Sequence, residues 1–289
     1  MSQTIVYTSA PTPAIKFASP IGLWMNLWQR RDLIWQFTVR EVAGRYKGLN
    51  FGILWSFINP LLMLGIYTFV FGCIMHVTWN RSINGDPKPP FSEFALTLFC
   101  GLTVFNVFAE CLGRAPTLIV SNPNYVKKVV FPLEILPVTV FGGAIIHGLI
   151  SFIILMLFMF LIAGKLQLTA LLFPIVLLPL VFLCLGVGWM LAALGVFFRD
   201  ISYAMTILTQ ALVYITPVFF PMAALDDRFK IFMYLNPLSA VVENGRSVLL
   251  WGDMPDWSWL AKTTVVSLVF MQVGYIFFMK SKKAFADVI

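Results

Sequence analysis

Charge is what this sequence has least of. Of its 289 residues only 11% are Asp, Glu, Lys or Arg, where a soluble domain carries roughly 25%. A chain so poor in charge cannot dress a water-facing surface, which excludes an ordinary soluble globular protein. Histidine is scarce too. His76 and His147 are the only two and lie far apart, which argues against a histidine-based metal site. The four cysteines, Cys73, Cys100, Cys111 and Cys184, have neither metal-ligand spacing nor a secreted disulfide framework. Each falls in or beside an apolar run and reads as a core residue. No G-x-x-x-x-G-K-[ST] loop occurs, so ATP hydrolysis by that route is excluded. G-x-S-x-G and H-E-x-x-H are missing as well. No signal peptide is expected, because the first apolar run begins about fifty residues in and is too long for a secretory h-region.

What is present is hydrophobic length. The composition is 60% hydrophobic and the mean hydropathy is +0.87. Six apolar segments, at about 51–75, 94–114, 138–164, 171–197, 201–220 and 260–279, fill most of the chain. The first contains no charged residue. As a helix it would reach roughly 37 Å, longer than the ~30 Å hydrocarbon core. The expectation is an all-α integral membrane protein with six transmembrane helices. Residues 1–30 read as a cytoplasmic tail, 31–48 as an amphipathic interface helix, and 49–289 as the transmembrane domain. The net charge of +7 fits basic cytoplasmic loops facing anionic lipid better than a nucleic-acid partner.

Orientation follows from the basic residues. Arg40, Arg45 and Lys47 precede the first span, Lys127 and Lys128 lie between spans two and three, and Lys280, Lys282 and Lys283 follow span six. Lys and Arg collect on the cytoplasmic side, so both termini are expected there.

Several periodicities carry chemistry. In 32–47, Trp35, Val39, Val42 and Tyr46 form one helical stripe while Gln36, Arg40 and Lys47 lie elsewhere, as suits a helix in the headgroup layer. Gly44, Gly48 and Gly52 mark the corner into span one. Ser56, Asn59, Met63 and Tyr67 share a face of that span, which Asn59-Pro60 interrupts. Thr103, Asn106, Glu110 and Arg114 share a face of span two, with Glu110 and Arg114 at i, i+4. Thr139, Gly143, His147 and Ser151 recur every four residues in span three, a pattern of close helix packing. Tyr203, Thr206, Gln210 and Tyr214 form a polar and aromatic stripe in span five. Between spans five and six, 229–235 and 238–251 are apolar but too short to span. They read as outer re-entrant half-helices, the second capped by Asn236 with Pro237 at its first position.

The run Arg45-Tyr46-Lys47-Gly48-Leu49-Asn50-Phe51-Gly52-Ile53-Leu54-Trp55 followed by Asn59-Pro60 resembles the N-terminal signature of type-two ABC exporter permeases. The likeness is greatest to those that export lipid-linked polysaccharides: O-antigen, capsule and teichoic acid. Lys127-Lys128-Val129-Val130-Phe131-Pro132 with Glu134-Ile135-Leu136-Pro137 resembles that family's first cytoplasmic loop, and Arg199-Asp200 and Asn236-Pro237 with Glu243 and Arg246 match later positions.

The resemblance implies a homodimer bound to two copies of a separate ATPase subunit, which would use ATP and Mg; no cofactor is expected in this chain, and the chain itself is expected to be a transporter subunit rather than an enzyme. Asn122, Tyr125, Lys127, Lys128, Arg199 and Asp200 would couple to the ATPase, and Glu243 and Arg246 would belong to an outer gate. Arg40, Arg45 and Lys47 would meet the diphosphate of a lipid carrier. Ser56, Asn59, Tyr67, Tyr203, Gln210 and Tyr214 would line a glycan path. Besides a non-transporting membrane scaffold, which would not stimulate a partner ATPase, two other readings stay open. One is export of another cargo, such as a drug, haem or a lipid. The other is a lipid-linked sugar transferase, for which the only adjacent acidic pair, Asp226-Asp227, lies outside. The topology is open to test. A cysteine in place of Asn84 is expected to label from outside, and one in place of Lys282 only from inside; the reverse pattern contradicts it.

Overall fold

The computed structural model describes residues 19–48, 50–77, 79, 81–83, 90–127 and 131–289. Lys128 and Asn84 lie outside the described residues, as does most of the expected tail. Every regular element among the described residues is helical, as a bilayer demands of a chain that must satisfy its own backbone.

Two helices precede the apolar part, α1 (Pro20–Gln29) and α2 (Arg31–Tyr46). α1 is capped by the Ser19 side chain, which accepts from Gly22 N–H, and it is no loose tail. Leu23 and Leu27 are buried among Trp189, Met271, Tyr275 and Phe278, while Trp28 stays exposed. The chain then turns at Gly48 and Gly52, both at positive φ (86° and 49°), where a Cβ is strained. Gly44, expected at the same corner, instead lies within α2.

Among the described residues, five helices are long and apolar enough to cross a membrane: Trp55–Ile74, Phe91–Thr117, Ile135–Ala163, Leu168–Phe197 and Trp257–Val288. Within them we label α3 (Trp55–Tyr67), which continues as a π-helical stretch over Thr68–Ile74, and α4 (Phe91–Arg114). A short α5 (Pro123–Lys127) leads to α6 (Ile135–Ala163) and α7 (Leu178–Phe197). The expected fifth span is only the 15-residue α8 (Ile201–Ile215), where a straight span needs about 20 residues. Pro217 is the cause. The residue before it, Thr216, is extended (ψ 141°), as a residue preceding proline prefers. The two short apolar stretches are helical, 229–235 within α9 (Asp227–Leu235) and 238–251 as α10 (Pro237–Arg246) followed by a π-helical stretch over Ser247–Trp251, and the Asn236 side chain caps α10 by accepting from Leu238 N–H at 3.0 Å. The last long helix is α11 (Trp257–Ser281).

α7 and α11 form the tightest pair. A Cβ on Gly274 would lie 2.3 Å from the Gly186 carbonyl oxygen, and one on Gly186 would lie 2.8 Å from Met271 Cα. With lipid as solvent, such close backbone contact replaces the hydrophobic drive. The same end of the bundle is tied by Glu134, just before α6. Its buried carboxylate pairs with Arg30 and accepts from Lys282 Nζ at 2.8 Å, and its carbonyl accepts from Trp189 Nε1 at 2.9 Å. Burial alone would raise this carboxyl; the Lys282 ammonium and Arg30 outweigh it and hold Glu134 below the usual carboxylate range. α8 differs from these elements, for none of its residues is buried, and α3 buries only Ser56. Gly274→Val is therefore expected to lower stability by about 1–3 kcal/mol or more. Gly113→Ala, where the added Cβ meets nothing within 4 Å, should stay within about 0.5 kcal/mol of wild type. Thermal unfolding in detergent measures both, and a wild-type melting curve for Gly274→Val would contradict the packing.

Candidate functional site

A polar cluster forms where α2 crosses the apolar helices. α2 lies across α6 at Gly142 and Gly143. A Cβ on Gly142 would lie 2.7 Å from Thr38 Oγ1, and one on Gly143 would lie 3.5 Å from Glu41 Cγ. The face of α2 that is buried is therefore Thr38 and Val42. Trp35 and Val39, expected on one stripe with Val42 and Tyr46, are exposed and free to meet lipid, while Tyr46 turns inward.

The centre of the cluster is Arg45. Its Nη2 donates to Glu110 Oε1 at 2.6 Å and its Nη1 lies 2.8 Å from His147 Nδ1. His147 Nδ1 lies 3.0 Å from Glu110 Oε2, and Tyr46 OH lies 3.0 Å from His147 Nε2. Burial pushes the Arg45 guanidinium down, but its hydrogen bond and charge contact with Glu110 win and raise it, so it stays charged. Arg114, expected beside Glu110, pairs instead with Glu41 on α2. Both charges at this end of α4 thus find partners across helices rather than along their own. At i, i+4 the two side chains share a face, and that face looks onto α2.

Two cavities flank Arg45. One, of about 360 Å³, is lined by Tyr46, Ser56, Asn59, Asn106, Glu110 and His147 among others. The other, of about 540 Å³, includes Arg40, Glu41, Arg114, Asn122, Tyr125 and Thr139 in its wall. Three of the faces read from sequence meet here: Ser56, Asn59 and Met63 of α3, Thr103, Asn106 and Glu110 of α4, and His147 and Ser151 of α6. Arg40 donates to Tyr125 OH at 3.2 Å. Lys47, the C-cap of α2, is exposed.

The other singled-out residues lie elsewhere. Tyr67 belongs to an aromatic group at the far end of α3, its ring 5.1 Å from Phe219, which also meets Phe71 at 4.4 Å and Tyr214 at 5.6 Å. Tyr203 and Gln210 are exposed on α8. Tyr125 stacks on Phe131 at 4.6 Å, the Asn122 amide donates to Leu118 O, and Lys127 Nζ donates to Ile289 O at 2.7 Å, which holds α5 against the last turn of the chain. Arg199 and Asp200 form an exposed turn between α7 and α8.

Glu243 and Arg246 sit at the opposite end from Arg45. Arg246 is fully buried. Its Nε donates to Thr97 O at 3.1 Å, Nη1 to Pro217 O at 2.6 Å and Glu243 Oε1 at 2.8 Å, and Nη2 to Val218 O at 2.7 Å. The carbonyls of Pro217 and Val218, just beyond the end of α8, are thereby satisfied, and Gly101 leaves room for the guanidinium, since a Cβ there would lie 2.7 Å from Nη2. Sequence reading missed the Arg45–Glu110–His147 contacts and the Glu41–Arg114 pair. The signal was available: an acidic residue in an apolar run needs a cation, and besides Arg114 the interface helix offered Arg40 and Arg45, which were assigned to the carrier diphosphate alone.

The profile of the ABC-2 type transporter family matches residues 32–250. The chain is 27% identical over 273 residues to the O-antigen export system permease protein RfbA of Myxococcus xanthus, covering 92% of this chain and 99% of that protein. It is 25% identical over 265 residues to the protein of that name from Klebsiella pneumoniae, covering 91% and 97%. To the polysialic acid transport protein KpsM of Escherichia coli it is 25% identical over 253 residues, covering 85% and 92%. The matched region contains α2, its contact with the apolar helices and α10, and on that evidence the chain belongs to the ABC-2 type transporter family.

Proposed function

We propose that this chain is the permease of an ATP-driven exporter that moves a lipid-linked polysaccharide out of the cytoplasm. It would act as a homodimer on two copies of a separate ATPase. Polysaccharide cargo is supported by the relatives, whose names are those of O-antigen and polysialic acid transport proteins. The carrying observation is the cavity beside Arg45, polar on one side and bounded by the apolar helix α3 on the other. An amphiphile with a polyprenyl tail, a diphosphate and a glycan carries its charge at headgroup depth, which is where an interfacial helix lies.

In this reading α8 is the fifth span, completed by 216–220, and α9 and α10 enter the bilayer from outside and return. Six spans then leave both termini in the cytoplasm. Arg45 is the diphosphate contact, because its planar fork matches two phosphate oxygens at once. Glu110 and His147 hold that fork until substrate arrives, and the phosphate takes over from the Glu110 carboxylate. Arg40 and Lys47 add charge at the rim. Ser56 and Asn59 meet hydroxyls, and the rings of Tyr67, Tyr203 and Tyr214 with Gln210 offer many weak contacts to a sliding glycan. On the other side of the membrane surface, α5 with Asn122, Tyr125, Lys127 and Lys128, and the Arg199-Asp200 turn, dock the ATPase. Glu243 acts in the outer gate with Arg246 as its fixed anchor.

Arg45→Lys separates a phosphate contact from simple attraction to anionic lipid, worth ~1 kcal/mol per cation and indifferent to the swap. In the reconstituted complex it is expected to cut export and substrate-stimulated ATP hydrolysis at least about tenfold, the loss of one good charge-assisted pair. Membrane levels of the complex should be normal. Wild-type rates would overturn the assignment.

A further inference from the structure

A second polar cavity lies at the opposite end of the bundle from Arg45. It is about 190 Å³ in size, and Glu93, Trp79, Phe91, Phe94, Arg81 and Thr97 are in its wall. Two of its polar side chains are incomplete. Glu93 is 2% exposed, and its Oε2 accepts from Ile83 N–H at 2.7 Å and Ser82 Oγ at 2.9 Å, but its Oε1 has no partner. Trp79 is 4% exposed, and its Nε1–H has no partner either. Buried polar atoms are nearly always satisfied. A free acceptor and a free donor in one cavity therefore point to a ligand that supplies both.

The remaining wall groups narrow the ligand. Thr97 Oγ1 donates to Glu93 O at 2.9 Å, and Arg81 pairs with Asp253 over the Trp251 ring, so neither competes for Glu93 Oε1. One face of the Trp79 indole is covered by Arg246, whose Cζ lies 4.9 Å from the ring. Two guanidinium groups so close disfavour a metal ion. Moreover, no set of three potential ligands occurs among the described residues. Phe91 rests on Gly72, where a Cβ would lie 2.3 Å from its ring, and it lies nearly parallel to Phe94 at 6.3 Å. Half of Phe91 is exposed, which leaves an aromatic platform at the mouth. The volume holds about six waters at ~30 Å³ each, the scale of one sugar ring.

We infer that this cavity is a subsite for one neutral sugar ring, with Glu93 Oε1 accepting from a ring hydroxyl, Trp79 Nε1–H donating to a neighbouring ring oxygen, and Phe91 stacking on the apolar face. A neutral hydroxyl pair donates and accepts at adjacent atoms, and an acidic sugar would set its carboxylate against Glu93. The position fits a path along α3. Gly72 follows Phe71, the residue that stacks on Phe219 within the aromatic group of Tyr67 and Tyr214. The inference rests on the export reading for why a glycan arrives there; the cavity's chemistry stands without it.

The test is binding to the purified full chain in lipid nanodiscs, read by ligand-observed NMR, with mannotriose and maltotriose as neutral probes and a sialic acid trimer as the acidic one. Wild type is expected to bind a neutral probe saturably and the acidic trimer not at all. Glu93→Gln should weaken binding at least tenfold. Trp79→Phe keeps the aromatic packing and removes only the N–H, so it should weaken binding as well and decides the matter if Glu93→Gln fails to fold. Absence of saturable binding by folded wild type, equal affinity in Trp79→Phe, or equal binding of the acidic trimer overturns the inference. Export by the assembled complex is scored separately. Export without binding overturns this subsite alone, whereas binding without glycan export overturns only the exporter reading.

Discussion

A charge inside or beside hydrocarbon must find a partner, and in this protein Glu110 finds it on a helix outside the apolar bundle. Its contacts with Arg45 and His147 at 2.6 and 3.0 Å hold α2 onto α4 and α6. Leaving either charge alone would be far more costly than the pair is stabilising. Much else follows from that one clasp. α6 must offer Gly142 and Gly143 where α2 crosses it, the chain must reverse at Gly48 and Gly52 to enter α3, and Arg114 is brought against Glu41. The cavities on either side of Arg45 are the space this crossing leaves.

The far end obeys the same rule with backbone in place of a carboxylate. Pro217 stops α8 short, which leaves carbonyls just beyond it in a region where water is scarce, and the fully buried Arg246 donates to two of them, Pro217 O and Val218 O, as well as to Thr97 O and Glu243 Oε1. α8 and α3 remain thinly packed while α7 and α11 meet backbone to backbone. The well-packed helices are thus the frame, and the thinly packed ones are those a partner copy or a cargo has room to approach.

Much of the fold was legible because hydrocarbon imposes a simple pattern: long uncharged runs become helices, and proline and glycine mark their ends. The Asn236-Pro237 cap of α10 and the polar faces of α3, α4 and α6 emerged as read. In α2 the stripe divides: Trp35 and Val39 face outward, as the apolar side of an interfacial helix does, whereas Val42 and Tyr46 pack inside with Thr38, Glu41 and Arg45. Periodicity reports that a helix has two faces and not which one the protein covers. α1 was read as a tail because Pro20 and the polar run before it mask a short helix, whose Leu23 and Leu27 only gain meaning against Trp189 and Tyr275. Ion pairs between distant segments, such as Glu134 with Arg30 and Lys282, leave no spacing signal.

In the proposed export, the cavity bounded by Arg45, Asn59 and His147 admits the charged head of the cargo between α2 and α3. Photocrosslinking reads this out. A benzoylphenylalanine placed at Asn59 of the assembled exporter is expected to capture a radiolabelled lipid-diphosphate oligosaccharide, and Arg45→Lys in the same chain should abolish the capture. A second probe at Leu161, on the exposed surface of α6, should capture bulk lipid only. Equal capture of the oligosaccharide at both positions, or capture at Asn59 that is indifferent to Arg45→Lys, would contradict it.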